Sequence, residues 1–89
     1  MNFKAKVTVM FRKSVLDPQG AAIERALKSH ANDDISLPDV ASVRVGKVFE
    51  LILSGPDAKT VEEKVAALAD KMLANPVMEE YAVSVEPLS

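Results

Sequence analysis

Apolar and polar side chains alternate from Phe3 to Arg12, with Phe3, Ala5, Val7, Val9 and Phe11 on one side and Lys4, Lys6, Thr8 and Arg12 on the other. Successive strand residues point to opposite faces, so this period predicts a half-buried strand. A longer alternation runs through SVRVGKVFELILS, Ser42 to Ser54, where Val43, Val45, Phe49, Leu51 and Leu53 share a face and Lys47 is its only polar member. A two-residue hairpin loop at Gly46-Lys47 would set Val43 opposite Glu50 and Leu51 opposite Ser42, mixing apolar with polar on both faces. A three-residue loop restores parity, but it tends to put its left-handed residue at Val48, and a β-branched side chain resists positive φ. The pattern therefore predicts one strand of thirteen residues bent at Gly46. At about 3.3 Å per residue it would reach about 43 Å, beyond the roughly 30 Å diameter of a compact domain of this length. Such a strand overhangs its own sheet, and the exposed edge predicts a second copy that covers it.

Between the strands the spacing turns helical. Asp17 can accept from the free N–H groups of a helix that opens at Pro18, a residue with no N–H to lose there. Ile23, Ala26, Leu27 and His30 then follow one stripe, with the end expected near Ala31 or Asn32. Residues 32–39, NDDISLPD, read as a polar connection. A second helix follows Gly55-Pro56-Asp57, capped by Asp57 or Thr60, with Thr60 and Glu63 fitting a capping box. Val61, Val65, Leu68 and Met72 form its stripe; Asn75 is expected in the left-handed position that closes it, and Pro76 prevents continuation. Tyr81, Val83 and Val85 alternate as a last strand before Pro87. The order strand, helix, long bent strand, helix, strand predicts an α+β fold. It is a two-layer sandwich related to the ferredoxin-like fold, with an antiparallel sheet, both helices on one face and completion by a second subunit.

At 89 residues with no internal repeat or linker, the chain reads as one domain, residues 1–89. The absence of Cys excludes a disulfide framework, a thiolate nucleophile and a cysteine metal site. A net charge of −2, three Phe and one Tyr give little to attract nucleic acid or stack its bases, so no nucleic-acid partner is expected. The charged, alternating N-terminus is neither a signal peptide nor a membrane span, which predicts a cytoplasmic protein with no membrane partner.

Candidate chemistry is sparse. His30, with Asp33 and Asp34 close behind, suits a helix C-terminus without further role. Glu79-Glu80 and Asp33-Asp34 resemble solvating surface pairs more than an acid and base couple. Gly20 lies at a helix start where an anion could bind, but no phosphate-cradling glycine pattern surrounds it. Gly46 serves bending or close backbone approach, and Met10, Met72 and Met78 are core or interface filler. No catalytic, cofactor or metal residue is expected.

KAKV near the start, SVLDPQG at Ser14 to Gly20, VRVGKVFEL at Val43 to Leu51, EEKV at Glu62 to Val65 and LANPVMEEY at Leu73 to Tyr81 occur in an order that resembles the PurS family. These are small subunits of phosphoribosylformylglycinamidine synthase in purine biosynthesis. The chain departs from the family pattern at Ser14, where Gly is usual, and in the longer connection His30 to Ser42. The resemblance implies a non-catalytic assembly subunit that bridges a glutaminase subunit and a large ATP-dependent synthetase subunit. Ammonia from glutamine then reaches formylglycinamide ribonucleotide. It implies no cofactor on this chain, with ATP and Mg on the synthetase, and self-association as a homodimer or tetramer. An assembly subunit acts through effective concentration and orientation, which requires only rigid surfaces.

Candidate interface residues are Arg12, Asp17, Gln19, Arg44, Gly46, Lys47, Phe49, Asn75, Pro76, Glu79 and Tyr81, because they join specific side chains to exposed or bent backbone. Asp17-Pro18 and Asn75-Pro76 are equally explained as a helix start and a helix stop. Lys47 suits either a solvated kink or an acidic partner surface. Gly46→Val is expected to disturb dimer geometry more than helix content. Two other classes compete: a small-molecule-binding regulatory module of ferredoxin-like fold, similar to amino-acid-sensing domains, and an acylphosphatase-like enzyme. The turn FRKSVLDPQG gives the first an Asp17 to Gly20 loop; it gives the second Arg12 but no Gly-rich cradle.

Overall fold

The computed structural model describes residues 1–29, 37 and 39–88. Its elements run β1 (Asn2–Phe11), α1 (Pro18–Ser29), β2 (Gly46–Ser54), α2 (Ala58–Leu68), a π-helical turn (Ala69–Leu73) and β3 (Glu79–Leu88). Two compact units result, one made of Met1–Arg12 with Gly46–Ser89 and the other of Lys13–Val45.

The first unit is a three-stranded antiparallel sheet in the order β2-β1-β3, with β1 in the centre. Its register places Val9 opposite Lys47 and Tyr81, Val7 opposite Phe49 and Val83, and Ala5 opposite Leu51 and Val85. The alternation read from β1 is therefore the alternation of the core: Phe3, Ala5, Val7 and Val9 are buried, and Val61, Val65 and Ala69 of α2 and its extension cover them. Lys4, Lys6, Thr8, Glu50, Ile52, Ser84 and Glu86 occupy the other face. No hairpin interrupts β2, as the parity argument required.

The ladder of β2 begins at Gly46, however, so residues 42–45 of the predicted strand are outside the sheet. Two causes are visible. The partner strand β1 ends at Phe11, with Met10 opposite Gly46, and the Val45 N–H, which a ladder would use, donates instead to Asp17 Oδ2 at 2.9 Å. Gly46 has no positive φ. Its missing Cβ makes room for Met10 Sδ and the Val9 carbonyl oxygen, so close approach accounts for the glycine.

Helix α2 starts at Asp57, whose Oδ1 accepts from the Thr60 N–H at 2.7 Å. Its end differs from the expected stop. Among the described residues none has positive φ, so Asn75 is not in the left-handed conformation. The Ala74 N–H instead closes on the Ala69 carbonyl at 2.9 Å, an i to i+5 bond that widens the last turn. The stripe Val61, Val65 therefore continues through Ala69, while Met72 is 75% exposed.

In the second unit, Asp17 caps α1 through the Gly20 N–H at 2.9 Å, with Pro18 at the first helical position. The backbone is tied again where the Leu37 N–H donates to the Leu27 carbonyl at 3.3 Å. His30, Asp33, Asp34 and the predicted helix end at Ala31 or Asn32 lie outside the described residues.

Candidate functional site

Eight of the eleven candidate residues belong to the first unit. The register gathers seven of them at one end of the sheet: Arg12 follows β1, Gly46 and Lys47 open β2, Glu79 and Tyr81 open β3, and Asn75-Pro76 lead into it. Phe49 stands two positions further along β2. Centring the sheet on β1 is what brings residues from sequence positions 12, 47 and 79 together.

The turn before β3 is closed by its own side chains. The Asn75 N–H donates to Glu79 Oε1 at 2.7 Å, the Glu79 N–H returns to the Asn75 carbonyl at 2.7 Å, and Asn75 Oδ1 accepts from the Val77 N–H at 3.0 Å. Asn and Asp side chains favour such local turns because they mimic a backbone acceptor. Arg12 reaches in from β1, and its Nε and Nη2 both donate to the Pro76 carbonyl, at 3.3 and 2.8 Å. Its own N–H donates to the Met78 carbonyl at 2.9 Å.

Lys47 stands at the rim. Its Nζ is 4.0 Å from Glu79 Oε2 and 5.7 Å from the Phe49 ring centroid. An acidic side chain of its own chain, Glu79, thus faces Lys47. Glu79 serves both the turn and this ion pair, with a side chain only 17% exposed. The result is a rigid turn that holds Val77, 79% exposed, and Met78, 42% exposed, in water. Val77 was absent from the sequence candidates. Its signal was an apolar pair placed after a helix stop and before any strand alternation, where neither period uses it.

On the open face of the sheet, Lys4, Lys6, Ser84, Val85 and Glu86 line a shallow depression. Glu50 Oε1 lies 3.6 Å from Lys4 Nζ and 3.7 Å from Lys6 Nζ, and Glu86 is opposite Lys4 in the register. With a carboxylate for each lysine, the depression does not concentrate an anion. Among the described residues, no group of three or more His, Cys, Asp or Glu could hold a metal ion, and no helix is long and apolar enough to cross a membrane.

Asp17, Gln19 and Arg44 belong to the second unit. The Asp17 carboxylate accepts from the Val45 and Gly20 N–H groups, both at 2.9 Å. These bonds, the first from Val45, hold its pKa below the ordinary 3.8, with smaller help from the Gln19 N–H and the Arg44 charge. Asp17 is therefore committed to tying the helix start to the segment before β2. A Cβ at Gly20 would collide with the Val43 carbonyl oxygen in the same tie.

A sequence model of the family described as PurS, phosphoribosylformylglycinamidine (FGAM) synthase, matches residues 4–87. The PurS subunit of phosphoribosylformylglycinamidine synthase from Bacillus subtilis is 39% identical over 84 residues, which cover 94% of this chain and 93% of that protein. The crystal structure of PurS from Methanocaldococcus jannaschii, one of the subunits of formylglycinamide ribonucleotide amidotransferase in purine biosynthesis, has a similar fold. Its TM-score is 0.81 at 31% identity, with 98% of this chain and 99% of that chain covered. A chain in the structure of PurLQS from Thermotoga maritima matches with a TM-score of 0.82 and 31% identity, over 97% of this chain and 99% of that one.

Proposed function

This chain belongs to the PurS family, subunits of phosphoribosylformylglycinamidine synthase in purine biosynthesis, and from that premise we propose that it assembles the synthase without a chemical step of its own. In this reading it bridges a glutaminase subunit and a large synthetase subunit, with ATP and Mg held on the synthetase. It keeps the two active sites in an orientation that lets ammonia from glutamine reach formylglycinamide ribonucleotide. Self-association as a homodimer or tetramer belongs to the same reading, as does the assignment of the eleven candidate residues to subunit interfaces.

The observation that carries the proposal is the end-to-end likeness of this fold to a chain of the PurLQS structure. The braced end of the sheet supports it physically. Fixing two partners in one geometry raises the effective concentration of the intermediate passed between them, and a rigid scaffold loses little entropy in doing so.

Purified glutaminase and synthetase subunits, assayed for formylglycinamidine ribonucleotide with and without this chain, test the proposal. The chain is expected to raise the glutamine-driven rate and to leave the rate with free ammonia nearly unchanged. Equal effects on both rates, or none on either, would overturn it.

A further inference from the structure

We propose that the Asn75–Glu79 turn is a docking knob for a non-identical protein chain, one that offers an apolar socket rimmed by carboxylates. The inference rests on the assembly function and assigns one surface to it.

Val77 is 79% exposed and Met78 42% exposed, on a backbone fixed from three directions: by Asn75 Oδ1, by Glu79 Oε1 and by Arg12. An apolar side chain in water on a floppy loop would lose much of its burial energy to ordering. On a turn already ordered by hydrogen bonds, that loss is small and the burial counts nearly in full.

The base of the knob is cationic. Arg12 donates Nε and Nη2 to the Pro76 carbonyl, an acceptor without charge. A guanidinium has five N–H donors in a planar fork, so most of its donors and its whole charge are still on offer, and a carboxylate is the acceptor that fits them. Lys47 differs, because Glu79 already faces it.

A second copy of this chain is the poorer occupant. In an isologous contact the same patch meets itself, and the one carboxylate the knob could offer Arg12, Glu79, is already held by Lys47 and the Asn75 N–H. A contact between the knob and some other patch of a second copy is heterologous and does not close without a suitable rotation.

Binding of the full-length chain to the glutaminase and synthetase subunits, measured separately by calorimetry at low and high salt, tests the assignment. Val77→Asp leaves every hydrogen bond of the turn in place, since Val77 contributes only its backbone N–H. It should weaken binding to one of the two subunits by about tenfold or more. The variant's own sedimentation and melting temperature should match wild type. Arg12→Gln should reduce the salt dependence of that same binding. Wild-type affinity of Val77→Asp for both subunits would overturn the knob alone, as would a defect confined to self-association. If the unaltered chain binds neither subunit, the assembly function itself fails and the knob falls with it.

Discussion

A Cβ on Gly46 would run into Met10 Sδ and would lie 2.5 Å from the Val9 carbonyl oxygen. The thioether end can swing away, but the carbonyl is part of the central strand and moves only if β1 and β2 separate. Gly46→Ala is therefore expected to lower the unfolding free energy by about 1–3 kcal/mol in urea titrations, and Met10→Ala in the same chain should recover only part of that loss. Complete recovery would mean that the side chain, not the strand backbone, demands the glycine. The sequence marked this position correctly as special. It could not distinguish a bend from close approach, because both are consequences of a missing Cβ and only the facing atoms of β1 decide between them.

At the scale of elements, the starts of both helices were legible and one of the ends was not. Asp17 and Asp57 each stand before a helix and accept its free N–H groups, and that chemistry is local in sequence. Both carboxyls are held below their ordinary 3.8, Asp17 chiefly by the Val45 N–H and Asp57 chiefly by the Thr60 N–H. A lowered folded value means that the caps stabilise fully above the ordinary carboxylate range and lose that contribution as pH falls through it. The melting temperature should accordingly drop between about pH 5 and pH 2, and Asp17→Asn with Asp57→Asn should flatten that acid limb. An unchanged slope would show that other carboxylates carry the acid sensitivity. The π-helical turn, in contrast, leaves no mark in composition. One residue inserted into the last turn of α2 rotates Met72 out of a stripe that looks unbroken on paper, and substitutes Ala69 for it. Asn75 does follow the end of that helix, but instead of closing it in the left-handed conformation it serves the turn before β3.

For the whole molecule, sheet order explains both the candidate surface and an edge left open. With β1 central, β2 and β3 each have only one hydrogen-bonded neighbour among the described residues, and β2 presents a nine-residue edge. That edge is about 30 Å long, and Val48 and Ile52 beside it are 59% and 65% exposed. Long apolar edges pair with other chains unless charge or a bulge prevents it. Residues 42–45 of this same sequence carry the strand alternation yet have no place in the sheet, so a second copy can supply them to the open edge while receiving the same segment in return. Exchange of this kind is isologous and closes at two copies. The chain should therefore sediment above the mass of a single copy, and Val48→Lys with Ile52→Lys should shift it toward the monomer without altering its far-ultraviolet circular dichroism. A monomeric wild type, or a double variant of unchanged mass, would show that the edge of β2 stays in water and that the strand pattern of residues 42–45 answers to some other contact.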